Sequence, residues 1–239
     1  MNNNINIADY RTALECMICE IYKLHIPKYV KVEKASIIKL EPKCLIENAV
    51  LSIFDKIGAA PVKFVAYSKE CDLNGNLITS PHDYILSSGE TFSIKCNGIK
   101  SSSFKVAPRV IGQAGYNVLN SYFGKYYGKK IETQKDIKEL FYDKIDMLLP
   151  IFLEKTFVSD YTVFIQLGNE NDYTVVERNK IEIINFDKQD LEFTRSLDEW
   201  NESNSLKYKG VTIAEVQTHK YRTFKFRFVV RNILKFIYD

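Results

Sequence analysis

Residues 81–98 have the sequence PHDYILSSGETFSIKCNG, and this stretch decides the fold that we predict for the chain. Two short apolar runs flank residues 87–90 (SSGE), a pattern that predicts a β-hairpin with a four-residue turn. Because strand side chains alternate between faces, Ser93 and Lys95 are expected on one face and their apolar neighbours on the other. Asp83 is then expected on the strand adjacent to the one that carries Lys95.

The composition around the hairpin is that of a folded protein. The chain has 239 residues, of which 46% are hydrophobic, enough for a full core in one large domain or two small ones. No apolar stretch approaches the roughly 20 residues that a membrane helix requires. The N-terminal residues also lack the charged and apolar regions of a signal peptide. We therefore expect a cytoplasmic protein.

The order of the predicted elements indicates an α+β fold. Helical periodicity covers residues 8–24 and 43–57 before the hairpin and residues 133–153 after it. In the last of these helices, Thr133 ahead of Asp136 is expected to cap the start, and Pro150 is expected to kink or end the helix. Strand patterns dominate residues 161–229, and within this range residues 206–217 are predicted to form one continuous strand. This order is typical of a mixed central β-sheet flanked by helices.

The cysteines do not suggest a disulfide framework, because there are five at irregular spacing. Cys16 and Cys19 have the spacing of a metal-ligand pair, but they fall in a segment with helical apolar periodicity. A structural zinc site needs about four ligands, and His25 alone would not complete one. We predict that both are buried helix cysteines.

The charges are segregated along the chain, although the formal net charge is only +3. Thr91–Ile131 contains seven basic residues and no acidic one, and Val216–Tyr238 contains six and none. Acidic residues gather between Glu182 and Glu202. This separation predicts positive surfaces that bind a polyanion such as nucleic acid.

The hairpin carries the residues that suggest chemistry. A carboxylate and an ammonium group that converge at a sheet edge, here Asp83 and Lys95, suit Mg²⁺-assisted attack on a phosphodiester. Mg²⁺ takes oxygen ligands from one or two carboxylates and keeps several waters. The lysine can position or deprotonate the nucleophile and stabilise negative charge. An ordinary surface ion pair is the alternative interpretation.

Asp83 followed by Ser93-Ile94-Lys95 resembles the Asp, then (Asp/Glu)-x-Lys signature of the PD-(D/E)xK nuclease superfamily, which includes most type II restriction endonucleases. The resemblance covers about residues 40–125. It implies a restriction-endonuclease-like fold and a Mg²⁺-dependent, sequence-specific endonuclease for double-stranded DNA that acts as a homodimer. It also implies one nuclease domain over residues 1–239, with the catalytic core at about 40–125 and a DNA-recognition part at about 156–239.

The sequence departs from this signature at two positions. His82 stands in the place of the proline, and Ser93 stands in the place of the second acid and cannot supply its charge. Some relatives carry that carboxylate on a neighbouring helix, so Glu47 is predicted to join Asp83 in holding the metal. A solvated Glu47 is the alternative.

A rival site is present near the C-terminus. Glu215-Val216-Gln217 resembles the Glu-x-Gln variant that some nucleases of this superfamily use, with Asp198 or Glu199 as the upstream acid. This segment also suits DNA recognition, because glutamine pairs with adenine edges and arginine or lysine with guanine edges.

Further basic and amide side chains are predicted to contact DNA. Alternation places Phe224, Phe226 and Phe228 on a core face and cationic groups opposite. Gly112 could serve either close approach to phosphates or backbone packing. The predicted DNA contacts are Lys105, Arg109, Gln113, Gln217, His219, Lys220, Arg222, Lys225 and Arg227.

Two other functions remain open from the sequence. One is a non-catalytic DNA- or RNA-binding protein that uses the same basic surfaces. The other is a repair or recombination nuclease of the same superfamily, which would lack tight sequence specificity.

Overall fold

The structure, a computed structural model, describes residues 7–27, 43–66, 68–71, 77–97, 104–166, 173–181, 185–219 and 223–238. Within these ranges the helices are α1 (Ile7–Ile21), α2 (Lys43–Ile57), α3 (Tyr116–Tyr127), α4 (Gln134–Thr156), α5 (Arg178–Ile181) and α6 (Val230–Tyr238), with a short 3-10 helix at Lys188–Asp190. The strands are β1 (Pro61–Phe64), β2 (Lys69–Cys71), β3 (Leu77–Thr79), β4 (Tyr84–Leu86), β5 (Thr91–Asn97), β6 (Lys105–Val106), β7 (Gln113–Ala114), β8 (Tyr161–Gln166), β9 (Tyr173–Glu177), β10 (Leu191–Phe193), β11 (Ser203–Tyr208), β12 (Val211–His219) and β13 (Thr223–Val229).

The chain divides into two units, and each is discontinuous in sequence. The first unit comprises Met1–Ser101 and Val158–Arg178, and the second comprises Ser102–Phe157 and Asn179–Asp239. These boundaries differ from those expected for a core at about 40–125 and a recognition part at about 156–239. The difference arises because β8 and β9 return to the first sheet after the chain has contributed two helices to the second unit.

The first unit is built on a five-stranded mixed sheet in the order β1-β4-β5-β8-β9. The predicted hairpin is confirmed, because Tyr84 lies opposite Phe92 in an antiparallel pair. Gly89 in its turn has a φ of 88°, a conformation that glycine adopts without steric cost. Strand β8 then runs parallel to β5, which makes the sheet mixed, and the α+β class predicted from the sequence is correct.

Helices α1 and α2 form the core of the first unit with one face of this sheet. Leu14 and Ile18 of α1 and Val50 of α2 are buried in one cluster with apolar residues of β4, β5 and β8. Cys16 and Cys19 belong to the same cluster, and burial raises the pKa of the Cys19 thiol to about 12. The prediction that they are buried helix cysteines is confirmed.

The second unit contains a sheet in the order β10-β11-β12-β13-β6, with β7 also paired to β13. The single strand predicted at 206–217 is wrong, because β11 and β12 form an antiparallel hairpin. Lys209 and Gly210 connect them with φ angles of 49° and 77°. Two successive positive φ values are typical of the tight turn that matches the twist of paired strands.

Aromatic side chains fill the core of the second unit. Phe224, Phe226 and Phe228 are fully buried, as the alternation predicted. Phe152 of α4 stacks on Phe226 with ring centroids 4.1 Å apart, and Phe141 of the same helix lies 5.0 Å from Phe224. These contacts assign one face of the sheet to the core and leave the opposite face with polar residues.

Helix α4 starts as predicted and ends differently. The hydroxyl of Thr133 accepts a hydrogen bond from the Asp136 amide, and the Asp136 carboxylate accepts one from the Thr133 amide, which forms a capping box. Pro150 lies inside the helix and does not end it, and the one non-helical residue is Lys144 (φ −128°, ψ 16°). No helix in the described ranges has both the length and the apolarity needed to cross a membrane.

Candidate functional site

Asp83 is held rigidly at the start of the hairpin, immediately before β4. Its amide donates to the carbonyl of Phe92 at 2.9 Å, and its carbonyl accepts from the amide of Val65 at 2.9 Å. Its side chain is also anchored, because Oδ2 accepts a hydrogen bond from the amide of Ile94 at 2.8 Å. The residue is 2% exposed. Asp83 is therefore a buried carboxylate with a fixed position between two strands.

Arg11 and Glu15 of helix α1 complete a buried charge cluster with Asp83. One guanidinium group contacts both carboxylates: Nε donates to Oε1 of Glu15 at 2.7 Å, and an Nη donates to Oδ1 of Asp83 at 2.6 Å. Glu15 is fully buried, whereas the Arg11 side chain is 34% exposed. The two acids therefore lie close together and share one cation, although they are 68 positions apart in the chain.

The environment of Glu15 strongly favours its protonated form. The pKa of Glu15 is raised from 4.5 to about 7, chiefly by burial and also by the negative charge of Asp83. The positive charges of Arg11 and Lys95 act in the opposite direction. A carboxylate whose pKa lies near neutrality beside a second carboxylate is characteristic of functional sites, although structural ion clusters also produce it.

Lys95 and Tyr84 connect the hairpin to this cluster. Lys95 is half-buried on β5, next to the residue whose amide holds Asp83, and its charge acts on Glu15. The hydroxyl of Tyr84 donates to the backbone carbonyl of Glu15 at 2.7 Å, which fixes α1 against β4. The structure thus associates both Asp83 and Lys95 with one cluster.

Ser93 has a different role from the one expected. It is 1% exposed, and its hydroxyl is 2.7 Å from that of Ser159 and 3.4 Å from the carbonyl of Pro81, to which it donates. His82 Nδ1 contacts the same Ser159 hydroxyl at 2.9 Å. Ser159 is fully buried, so this serine–histidine pair is not accessible to a substrate. Ser93 is therefore part of a buried hydrogen-bond network with Ser159, His82 and the carbonyl of Pro81.

Glu47, the predicted second metal ligand, lies on a different helix from the carboxylate that shares Arg11 with Asp83. It lies half-buried on α2, and Glu15 of α1 occupies the position next to Asp83. Among the described residues, no group of three or more His, Cys, Asp and Glu is arranged to hold a metal ion. The Glu47 metal ligand therefore stays a prediction, whereas Glu15 is the helical carboxylate that shares the guanidinium of Arg11 with Asp83.

A sequence signal for Glu15 exists but is weak. Glu15 lies between Leu14 and Ile18 on the buried side of α1, where a charged residue is unusual. Arg11 is four positions earlier, so the two side chains are neighbours on the helix surface. A carboxylate on the apolar side of a helix, with a basic residue one turn away, marks a buried ion pair.

The donor set suits a small hard cation without forming a complete cage. Mg²⁺ is usually held by one or two carboxylates plus waters and substrate phosphates. Asp83 and Glu15 supply two such carboxylates, and both already bind a cationic group. These residues therefore fit Mg²⁺ that keeps part of its hydration shell, and not a site made only of protein ligands.

The rival acid Glu215 belongs to an ion-pair network. Its carboxylate accepts from Lys105 at 3.1 Å, from Arg227 at 2.9 Å and from Gln217 at 3.1 Å. Partial burial would raise the pKa of Glu215, but Lys105 and Arg227 lower it below the ordinary value. Its expected upstream partners, Asp198 and Glu199, are both exposed, and Glu199 accepts hydrogen bonds from Ser196. In the described part of the chain, the contacts of Glu215 are therefore those of an ion-pair network with Lys105 and Arg227.

Six of the predicted DNA contacts lie on one face of the second sheet. Opposite strand residues share a face, and the register places Glu215 opposite Arg227, Gln217 opposite Lys225, and Gln113 also opposite Lys225. Lys105 reaches the same face through Glu215. We call this surface the polar face, and it consists of Lys105, Gln113, Glu215, Gln217, His219, Lys225 and Arg227.

The other three predicted contacts are Arg109, Lys220 and Arg222, and Gly112 is the nearby glycine for which two roles were left open. Arg109 lies in the turn after β6 and is half-buried, with its amide bound to the carbonyl of Lys155. Gly112 serves packing, because a Cβ atom there would lie 2.3 Å from the backbone oxygen of Pro108. Lys220 and Arg222 lie outside the described residues.

Part of the basic sequence is neutralised by nearby acids. Lys129 forms ion pairs with Asp136 at 3.2 Å and Glu139 at 3.4 Å, and Lys130 forms one with Glu132 at 2.7 Å. The acid-free segment of the sequence is therefore not a continuous positive surface.

The comparisons with family models, curated proteins and solved structures return no match for this chain.

Proposed function

We propose that the protein is a Mg²⁺-dependent, sequence-specific endonuclease for double-stranded DNA, of the restriction type and acting as a homodimer. The observation that carries this proposal is the pair of buried carboxylates, Asp83 and Glu15, which share one guanidinium group next to the strand of Lys95. The resemblance of Asp83 and Lys95 to the PD-(D/E)xK signature supports the same chemistry, with Glu15 in place of the acid missing at Ser93.

In this proposal Asp83 and Glu15 hold the ion, and Lys95 acts on the attacking water. Bound Mg²⁺ would lower the pKa of a coordinated water and neutralise charge on the phosphate. The hydrogen bond from Ile94 keeps the Asp83 carboxylate from rotating, so its Oδ1 presents a fixed ligand atom. In its charged form Lys95 can orient the water and stabilise the developing negative charge, and in its neutral form it can accept a proton from the water.

The polar face supplies candidate DNA contacts. Gln217 has the donor and acceptor pair that suits an adenine edge, and Arg227 has the paired donors that suit guanine. Lys225 and Lys105 suit phosphate contacts, which make up half or more of protein–DNA hydrogen bonds. A symmetric dimer would match a palindromic site and allow both strands to be cut.

A second candidate is a non-catalytic DNA-binding protein, and one specific observation favours it. Arg11 contacts both carboxylates at hydrogen-bond distance, as it would in an ion cluster that only stabilises the packing of α1 on the hairpin. The polar face would then carry the whole function.

One digestion experiment separates these candidates. Phage DNA incubated with the protein and Mg²⁺ is expected to give discrete bands. A smear would indicate a nuclease without sequence specificity, such as a repair or recombination enzyme. Intact DNA combined with a gel shift would support the binding protein and overturn the proposed nuclease.

Variants of the acids then test the site. We expect Asp83→Asn, Glu15→Gln and Lys95→Ala each to lower the cleavage rate at least about 100-fold, the lower end of what a catalytic group contributes, while DNA binding persists. Glu20→Gln is the matched control, because Glu20 lies on the same helix in an exposed position. Loss of cleavage in Glu47→Gln, with cleavage retained in Glu15→Gln, would identify Glu47 of α2 as the second metal ligand instead of Glu15.

A further inference from the structure

Arg11 connects the two carboxylates in a way that conflicts with metal binding. Its Nη donates to Oδ1 of Asp83 at 2.6 Å and its Nε donates to Oε1 of Glu15 at 2.7 Å, so the guanidinium lies between the two acids. A Mg²⁺ ion held by both carboxylates needs an oxygen from each at about 2.0–2.1 Å. Such an ion would take the place of the guanidinium between these two oxygens.

Charge leads to the same conflict. Arg11 and Lys95 already act on Glu15 with positive charge, so a divalent cation bound there while Arg11 stays in contact would meet like-charge repulsion at a buried carboxylate. Such repulsion is costly where water is excluded. Departure of the Arg11 side chain relieves it, and this side chain is 34% exposed and so has a route to solvent.

We propose that Arg11 is a built-in competitor of the divalent cation, which holds the two carboxylates together in the metal-free protein and must be displaced when the metal binds. This inference rests on the proposed function, since it presupposes a metal at Asp83 and Glu15. If Arg11 competes in this way, the site keeps its shape without metal, because the buried acids always have a counter-charge. The same site binds metal more weakly than the two acids would without Arg11.

The test measures binding of Mn²⁺, a spectroscopic substitute for Mg²⁺, by electron paramagnetic resonance of the free ion. Arg11→Gln is expected to tighten Mn²⁺ binding about 5- to 150-fold, the usual range of coupling between two ligands. Lys56→Gln is the matched control, because it removes one positive charge from an exposed position on α2, and its affinity should equal that of the wild type. Asp83→Asn should abolish binding.

The outcomes separate the two proposals. Equal affinity in wild type and Arg11→Gln, with binding lost in Asp83→Asn, would overturn the competition while the metal site stands. Absence of binding in both proteins, or unchanged binding in Asp83→Asn, would overturn the metal site and the competition with it.

A measurement on the wild-type protein guards against a variant that does not fold. The Nε–H of Arg11 donates to Glu15, so its ¹⁵N nuclear magnetic resonance signal reports on this contact. Addition of diamagnetic Mg²⁺ is expected to move this signal toward the position of solvent-exposed arginines. A signal that stays unchanged at saturating Mg²⁺ would contradict displacement.

Discussion

Replacement of Glu15 by Gln should stabilise the metal-free protein at alkaline pH, although it removes one partner of a salt bridge. Glu15 is fully buried, and its pKa is raised from 4.5 to about 7 by burial and by the charge of Asp83. Gln has nearly the same shape as a protonated Glu and carries no charge to desolvate. Arg11 keeps Asp83 as a partner in the variant, so its guanidinium is not left unpaired.

The magnitude follows from the two pKa values. A group with a raised pKa binds its proton more tightly in the folded state, so its contribution is most favourable below pH 4.5 and is lost as the pH rises to about 7. Each pKa unit corresponds to about 1.4 kcal/mol, and the rise from 4.5 to about 7 is therefore worth about 3 kcal/mol. The wild type should lose this amount relative to Glu15→Gln between pH 4 and pH 8.

Urea denaturation followed by circular dichroism measures this difference, with EDTA present to remove metal ions. The free energies of unfolding of wild type and Glu15→Gln are compared at each pH, so that all other titrating groups cancel. Glu20→Gln, an exposed substitution on the same helix, should differ from wild type by less than about 0.5 kcal/mol. A variant less stable than wild type at pH 8, or a difference that does not change with pH, would refute the reasoning.

Three further predictions concern the second unit. Gly112→Ala should lower the free energy of unfolding by more than about 2 kcal/mol, because the new Cβ atom would lie 2.3 Å from the backbone oxygen of Pro108. Gly124→Ala is the control: its Cβ atom would lie 3.6 Å from its nearest neighbour, so the free energy of unfolding should rise by about 0.5–1 kcal/mol in the same urea experiment. Thr133→Ala should cost about 1 kcal/mol by loss of the capping box in thermal denaturation, and a smaller loss than about 0.3 kcal/mol would contradict the cap. Glu215→Gln removes the ion-pair partner of Lys105 and Arg227, so DNA affinity should rise. The slope of log affinity against log salt should steepen by about 0.9 for each of these cations that then contacts a phosphate. A fluorescence-anisotropy titration with an unchanged slope would argue against this face as the DNA surface.

Patterns between near neighbours were sufficient for several parts of the fold. The hairpin at 84–97, the capping box at Thr133 and the buried face with Phe226 depend on side-chain alternation or on groups three positions apart, and all three agree with the structure. The α+β class follows from the order of such elements. These features are local, so their physical cause is visible in a short window of sequence.

The charged clusters could not be predicted in the same way. Glu15 and Asp83 meet because α1 packs on the hairpin, and Lys105 meets Glu215 because β6 joins the far side of β13, across 110 positions of the chain. Only Glu47 was predicted from the sequence, although Glu15 also lies on a helix before the sheet.

The sequence by itself determined the α+β class, the alternation of strand faces and the hairpin that carries Lys95, with Asp83 directly before its first strand. Only the tertiary structure decided which acid lies beside Asp83, that Arg11 contacts both acids, and that the chain forms two units, each discontinuous in sequence. The physical reason is that a charge buried in a low-dielectric core must be balanced by whichever opposite charge the packing brings to it, and packing depends on the whole chain.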